Sequence, residues 1–207
     1  EGGLGFTKES VGVIKSVITP LLYILPIISG AIADRFGYRK ILFFSFAVMS
    51  LGYLLTSFSN TYATVFLSLI LMVTGGGFFK PIISGTIARS TDSRNSSLGF
   101  GIYYWAINLG AFLFPLIFVP LLKSIGWSYI FIMAAVGTGW LLFLNLFAYK
   151  EPTIPKSNKS LIMVFKEMVL VLKDYKFILM IVVYSGFWVL YFQMFDSVLW
   201  FLKEYVD

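Results

Sequence analysis

Two polar side chains lie inside long apolar stretches of the sequence, where they could bind a charged group. Lys80 lies in the apolar run that begins at Tyr62, and Asn108 lies in the run that begins at Leu98. A cation is costly in an apolar environment, so Lys80 is a candidate for binding a carboxylate, either of a solute or of a buried acid. The alternatives are structural: an ion pair for Lys80 and a hydrogen bond between helices for Asn108.

The composition indicates that these stretches cross a lipid bilayer. Hydrophobic residues make up 58% of the chain and charged residues 13%, and the mean hydropathy is +0.87. Soluble domains carry about 25% charged residues. The chain has neither cysteine nor histidine, so it lacks thiol chemistry and the commonest metal ligand. We therefore predict an integral membrane protein with no metal site and no cofactor.

Six runs approach the length of about 20 apolar residues that a membrane-spanning helix needs. They are residues 11–33, 41–58, 62–88, 98–122, 128–148 and 177–200. None alternates strictly between polar and apolar residues, so we expect an all-α polytopic helical bundle. At 1.5 Å per residue, Lys80 and Asn108 lie about 14 Å and about 15 Å from the same membrane boundary. We expect them to face one cavity near the middle of the bilayer.

The basic residues concentrate in alternate links between these runs. The first, third and fifth links contain Arg35, Arg39 and Lys40, then Arg89 and Arg94, then Lys150, Lys156, Lys159, Lys166, Lys173 and Lys176. By the positive-inside rule these links are cytoplasmic, and the N-terminus of the chain is extracellular or periplasmic. This distribution accounts for much of the net charge of +6 without a nucleic-acid partner. The short loops favour a prokaryotic inner membrane.

The fifth link, residues 150–176, is the longest. It begins with a proline-broken segment, and Lys159, Lys166 and Lys173 then follow at seven-residue spacing. That spacing predicts an amphipathic helix over 160–176 that lies on the inner leaflet. The alternative is an ordinary solvated helix packed on the bundle.

The first link reads GAIADRFGYRK over residues 30–40. Gly30 would allow helices to approach closely, and Gly37 would permit a tight reversal. Asp34 could pair with a neighbouring arginine, Arg35 or Arg39, or cap a helix. The segment resembles the G-x-x-x-D-R-x-G-R-[RK] loop of the major facilitator superfamily, with Tyr38 between the glycine and the arginine. The resemblance implies a cytoplasmic gating motif formed by Gly30, Asp34, Arg35, Gly37, Arg39 and Lys40.

The same resemblance implies that the chain holds helices two to seven of about twelve. Residues 1–149 would be helices two to six of an N-terminal bundle. Residues 150–176 would be the cytoplasmic linker, and residues 177–207 the first helix of a C-terminal bundle. An extracellular N-terminus of this chain agrees with that numbering. A whole transporter that starts in the cytoplasm needs one more membrane-crossing helix before residue 1.

Two further segments resemble the proton-coupled oligopeptide transporter (POT/PTR) family. Residues 75–84, GGGFFKPIIS, are similar to its fourth-helix pattern G-x-G-[L/F]-x-K-P-x-x-S. Residues 100–112, FGIYYWAINLGAF, are similar to its fifth-helix pattern, an aromatic-rich turn followed by [I/V/G]-N-x-G and a small residue. Together with a seventh-helix segment described next, the resemblance implies a set of residues that bind the substrate. They are Lys80, Tyr104, Trp105, Asn108 and Gln193.

The seventh helix departs from the family pattern at an important position. Residues 187–193 resemble F-W-[AV]-[LI]-x-[ED]-Q and match it at Phe187, Trp188 and Gln193. The acidic residue that the family uses in proton coupling is replaced by Phe192. Asp196, about one turn further along, is the candidate that would take over proton coupling; its alternative role is to cap the end of the helix.

The resemblance implies a secondary active transporter, with proton-coupled symport of di- or tripeptides by alternating access. The alternative keeps the fold and changes the cargo to another small organic solute, such as a drug, a sugar or an organic anion, which Phe192 favours. A membrane-embedded enzyme or receptor is a second alternative. The sequence shows no nucleophile–base pair, metal cluster or phosphate loop, so we predict that the protein is not an enzyme. The expected partners are the solute, protons and the lipid bilayer.

Overall fold

The computed structural model describes residues 4–153, 163, 166 and 169–206, with all their side chains except those of residues 8, 193, 195–197, 199–200 and 203–204. The helices are α1 (Lys8–Phe36), α2 (Tyr38–Phe58), α3 (Tyr62–Ser90), α4 (Ser96–Leu113), a π-helical segment (Phe114–Phe118), α5 (Val119–Ile125), α6 (Trp127–Phe147) and α7 (Tyr175–Tyr205). Among the described residues, six stretches are long and apolar enough to cross a membrane, and each predicted span overlaps one of them. The prediction of an all-α polytopic membrane protein is confirmed.

The fourth span is not a uniform α-helix, because α4, the π-helical segment and α5 follow one another without a break. Pro115 lies in the π-helical segment and has no backbone N–H to donate to the preceding turn. The chain widens there, and the Val119 N–H donates to the Phe114 carbonyl, five residues back. Such π-bulges are a common way for a helix to accommodate an irregular position.

Two compact units make up the chain, residues 1–158 and residues 159–207. In the first unit α3 packs against both α1 and α2, and α2 also packs against α6. The core lies where α1, α2 and α3 meet and consists of Ala33, Tyr38, Leu42, Phe46 and Ile82. Many large apolar side chains elsewhere are exposed, as expected for a protein whose outer surface contacts lipid.

Small residues bring α2 and α3 close together. A Cβ atom at Gly75 would lie 2.6 Å from the Ser45 carbonyl oxygen, and one at Gly52 would lie 2.5 Å from the Met72 nitrogen. A Cβ atom at Gly77 would lie 2.6 Å from the Leu25 Cβ on α1. In a bilayer, where apolar burial gives little driving force between helices, such close backbone contact supplies the packing energy.

Hydroxyl groups add hydrogen bonds between the same helices. The Ser45 hydroxyl donates to the Gly75 carbonyl at 2.5 Å, and Thr56 and Ser68 are hydrogen-bonded at 3.0 Å. The Ser50 hydroxyl donates to the Ala135 carbonyl at 2.8 Å and so connects α2 to α6. These bonds connect α2 to α3 and α6 at successive positions along its length.

The second unit contains α7. The Asp174 side chain accepts a hydrogen bond from the Lys176 backbone at 2.9 Å and caps the helix. In the amphipathic helix predicted over 160–176, residues 163, 166 and 169–171 are helical, and residues 160–162, 164, 165, 167 and 168 lie outside the described part of the chain. A turn at residues 172–173 separates this stretch from α7.

Candidate functional site

The first candidate site is the turn between α1 and α2, at the end of the bundle that carries Arg35, Arg39, Lys40 and Arg89, here called the basic end. Gly37 alone separates the two helices, and its φ of 97° and ψ of 142° lie in a region that side chains disfavour. The predicted tight reversal at Gly37 is therefore observed. The motif residues Asp34, Arg35, Gly37 and Lys40 line a cavity of about 540 Å³ together with Phe36, Glu151 and Pro152.

Asp34 forms an ion pair with Arg89 of α3, at 3.1 Å. The sequence left open a pair with Arg35 or Arg39 or a helix cap, and the partner of Asp34 in the structure is Arg89 instead. The last turn of α1 faces α3, and the Arg35 guanidinium instead lies over the Phe36 ring, 5.5 Å from its centroid. The ion pair connects the ends of α1 and α3 through two residues that lie 55 positions apart in the sequence.

Tyr38, which stands between the glycine and the arginine of the motif, contacts both partners of this ion pair. Its hydroxyl donates to Asp34 at 3.1 Å, and the Arg89 guanidinium lies 5.1 Å from the centroid of its ring. The ring itself is buried in the core. Tyr38 therefore couples the charged cluster to the packing of α1, α2 and α3.

Arg39 contacts the C-terminal end of α6. Its Nε donates to the Asn145 carbonyl at 3.2 Å, and its guanidinium also donates to the Leu146 carbonyl. In return the Asn145 side-chain amide donates to the Arg39 carbonyl at 3.0 Å. The last carbonyls of a helix lack partners within the helix, and a cation is favoured there. This role of Arg39 follows from tertiary contacts alone.

The segment after α6 also contacts the turn. The Thr86 and Tyr149 hydroxyls are hydrogen-bonded at 2.8 Å, and the Glu151 carboxylate accepts from the Tyr38 backbone at 2.5 Å. Burial raises the pKa of the Tyr149 phenol, the bond to Thr86 lowers it less, and nearby Glu151 adds to the rise. Tyr149 is therefore protonated at neutral pH and able to donate.

The second candidate site contains Lys80. This residue lies in α3, which runs without interruption through Pro81, and its side chain is exposed. Within the described part of the chain, the ion pair between Asp34 and Arg89 is the one salt bridge, and Lys80 has no acidic partner. A structural ion pair for Lys80 is thus not observed among these residues.

Pro81 leaves a backbone carbonyl free one turn earlier, because proline has no N–H to donate to Gly77. The Ser29 hydroxyl, fully buried on α1, donates to that Gly77 carbonyl at 3.2 Å and shares its proton with the Pro26 carbonyl of its own helix, also at 3.2 Å. Gly30, beside it, would bring a Cβ only to 3.9 Å from the Pro81 Cβ, which is ordinary contact distance. The close helix approach expected at Gly30 occurs at Gly77 instead.

The aromatic and amide candidates lie together on α4. Tyr104 and Trp105 are 59% and 66% exposed. The Asn108 side-chain amide donates to the Tyr104 carbonyl of its own helix at 2.8 Å, not to another helix. Among the described residues no hydrogen bond or ion pair joins Lys80 to these α4 side chains. The shared cavity stays a prediction.

The candidates on α7 are described only in part. Gln193 and Asp196 belong to the helix, and the predictions for their side chains lie outside the described part of the structure. Phe192, which stands where the oligopeptide transporter pattern has an acid, packs its ring against Trp188 with centroids 5.6 Å apart.

The six apolar helices and the ion-paired turn define a polytopic α-helical integral membrane protein. The sequence model of the Major Facilitator Superfamily matches residues 2–205, and the chain belongs to this family. The predicted resemblance to the superfamily is confirmed.

Individual relatives carry the resemblance to the peptide transporters. The chain is similar to the uncharacterized transporter YclF of Bacillus subtilis (strain 168), with 36% identity over 151 residues that cover 71% of this chain and 30% of that protein. It is 29% identical over 165 residues to the peptide transporter YePEPT of Yersinia enterocolitica subsp. palearctica serotype O:3 (strain YE-P4), covering 77% of this chain and 31% of that protein.

Among solved structures, the chain is similar to a POT family transporter crystallised in complex with 5-aminolevulinic acid. The TM-score is 0.67 and the identity 25%, over 97% of this chain and 43% of that chain. The chain therefore spans about a third of the length of the two relatives and less than half of the solved transporter.

Proposed function

We propose that this chain is part of a secondary active transporter that carries di- and tripeptides by alternating access between two helix bundles. The observation that carries the proposal is Lys80, an exposed lysine inside an apolar helix without an acidic partner among the described residues. A cation in that position is expensive unless it binds something. A terminal carboxylate of a peptide is a suitable partner, and the similarity to a named peptide transporter supports this choice.

In this proposal Lys80 binds the carboxylate of the substrate, and the residues of α4 contribute the surrounding wall. Tyr104 and Trp105 supply amphipathic surface, and Asn108 and Gln193 supply polar contacts. The bond from Asn108 to its own backbone leaves its side-chain oxygen available as an acceptor for a peptide amine or amide N–H.

The basic end of the bundle is proposed as the cytoplasmic gate, formed by Gly30, Asp34, Arg35, Gly37, Arg39 and Lys40. The excess of arginine and lysine there supports a cytoplasmic position, with the N-terminus of the chain outside and residues 150–176 inside. The short loops and the bacterial relatives support a prokaryotic inner membrane. Residues 1–149 and 177–207 would belong to opposite bundles.

Transport is proposed to be coupled to protons through a carboxylate. Since Phe192 stands where the family pattern has an acid, Asp196 is the candidate proton carrier on α7. The same substitution supports a second candidate function, in which the same fold carries another small organic solute such as a drug, a sugar or an organic anion. The complex of a POT family transporter with 5-aminolevulinic acid is a precedent for a small organic ligand in this fold.

The test is uptake of a labelled dipeptide into proteoliposomes that contain the full-length protein, with and without an inward proton gradient. Lys80→Ala should lower uptake by about 10-fold to 100-fold, because it removes a hydrogen bond to a charged group. Lys123→Ala is the matched control, since Lys123 lies over the Trp127 ring at the opposite end of the bundle. Gradient-independent uptake would rule out proton coupling. No uptake of several dipeptides by folded protein would leave the second candidate function.

A further inference from the structure

We propose that Glu151 is a positioning residue that caps the N-terminus of α2 from outside the helix and attaches the start of the linker to the gating turn. The carboxylate oxygen Oε1 accepts from the backbone N–H groups of Tyr38 and Arg39, at 2.5 Å and 3.4 Å. Glu151 follows these residues by more than a hundred positions, so the cap is a tertiary contact. The capping contact does not depend on the proposed function. The kinetic effect of losing the cap does rest on the proposed function, because it presupposes a transport cycle.

The sequence of α2 provides no cap of its own. Its N-cap residue is Gly37, which has no side chain, and its first turn contains no acidic residue. The first N–H groups of a helix have no partners within the helix and carry a partial positive charge. A carboxylate that accepts from two of them therefore replaces the local capping side chain that other helices use.

Gly37 also leaves the space that the carboxylate occupies. A Cβ atom at this position would lie 2.8 Å from Glu151 Oε1 and 3.6 Å from its carboxyl carbon. The glycine is therefore needed twice, once for its positive φ and once to seat Glu151. Alanine at this position would displace the carboxylate even if the backbone tolerated it.

The residues just before Glu151 are held to the same end of the bundle. Arg39 donates to the Asn145 and Leu146 carbonyls, and Tyr149 is hydrogen-bonded to Thr86 of α3. Arg35 and Lys40 line the same cavity as Glu151. These contacts hold residues 145–149 beside the start of α2, so only Lys150 lies between the held segment and Glu151.

A turn that is capped by the linker cannot change its position relative to the linker without breaking the cap. In an alternating-access cycle the gating turn and the start of the linker would therefore move as one body. Loss of the cap should affect the rate of the conformational step more than the binding of solute. The expected signature is a lower maximal rate with an unchanged KM.

Hydrogen exchange measured by mass spectrometry on the full-length protein tests the cap directly. In Glu151→Ala the amides of Tyr38 and Arg39 should exchange roughly fivefold to thirtyfold faster, the factor that corresponds to one lost helix cap. Glu151→Gln keeps an acceptor oxygen and should show a smaller increase. Glu9→Ala removes a carboxylate at the other end of α1 and should leave residues 38–39 unchanged. Equal exchange in wild type and Glu151→Ala, with both proteins folded, would overturn the cap.

A double substitution tests whether a side chain at residue 37 and the Glu151 carboxylate compete for the same space. Gly37→Ala already displaces the carboxylate, so adding Glu151→Ala should increase exchange at residues 38–39 little further; additive effects would contradict the shared space. Uptake kinetics then test the positioning role: Glu151→Ala should lower the maximal rate, with KM unchanged and partial rescue by Glu151→Gln. Altered exchange with normal kinetics would overturn that role. If the wild type transports no peptide, the proposed function fails, while the exchange data still decide the cap.

Discussion

The hydroxyl of Ser29 lies 3.2 Å from two backbone carbonyls, that of Pro26 on its own helix and that of Gly77 on α3, and shares its one proton between them. Pro81 cannot donate to the Gly77 carbonyl, so the Ser29 hydroxyl donates to it from the neighbouring helix. In a bilayer an unpaired carbonyl finds no water, so the serine compensates for the proline. The Gly77 carbonyl lies in the turn of α3 that precedes Lys80. The buried Ser29 on α1 therefore supports the backbone next to the candidate binding residue.

Ser29→Ala should therefore destabilise the protein by about 1 to 3 kcal/mol, because it leaves a buried acceptor without a partner. Ser16→Ala is the control: Ser16 is exposed on the same helix, and its hydroxyl bonds only to the Val13 carbonyl of its own turn. Thermal unfolding of the purified protein in detergent measures both. Equal midpoints for the two variants would show that the Ser29 bond contributes nothing.

At the scale of the element, three consecutive glycines in α3 have different surroundings. A Cβ atom would clash at Gly75, 2.6 Å from the Ser45 carbonyl oxygen, and at Gly77, 2.6 Å from the Leu25 Cβ. At Gly76 the nearest atom would be the Met49 sulfur at 3.8 Å. The outer two glycines therefore allow close helix packing, because they face α2 and α1.

Gly75→Ala and Gly76→Ala form a matched pair of adjacent substitutions. Gly75→Ala should cost about 1 to 3 kcal/mol through overpacking against the α2 backbone. Gly76→Ala should be neutral or stabilise by up to about 1 kcal/mol, since alanine is the better helix former and has room. Unfolding midpoints compare them directly. A more destabilising Gly76→Ala would mean that the α2–α3 contact differs from the one described.

For the whole molecule, the distribution of charge predicts an orientation in the membrane. Arg35, Arg39, Lys40 and Arg89 lie at one end of the first unit, whereas the links at the other end contain few basic residues. The asymmetry follows the positive-inside rule, which depends on lysine and arginine near the ends of spans and not on net charge. The gate and the linker would then face the cytoplasm together.

Single cysteines at exposed link positions test this orientation, since the 207 residues contain no cysteine. In a full-length protein without other cysteines, a membrane-impermeant maleimide should label Asn60→Cys in intact cells. It should label Arg94→Cys only after permeabilisation, because Arg94 lies in a basic link. Both positions are exposed, so access to reagent and not burial decides the result. The reverse pattern would turn the proposed gate outward.

The membrane helices, the superfamily and the residues that are expensive in an apolar helix were all predictable from the order of the amino acids. These are properties of consecutive residues: hydropathy sums along the chain, and the motif G-x-x-x-D-R-x-G fills one link. The interpretation of Gly37 as a tight turn also held, because the need for a positive φ is local.

The contacts between side chains on different helices were not predictable in this way. Asp34 pairs with Arg89 and not with its near neighbours, Glu151 caps a helix more than a hundred residues earlier, and Ser29 satisfies Gly77. Such choices depend on which helix faces which and at what height, and those are set by the sum of many packing contacts between distant segments. A partner that lies on another helix leaves no pattern in the residues around it, so its identity emerges only when the helices are assembled.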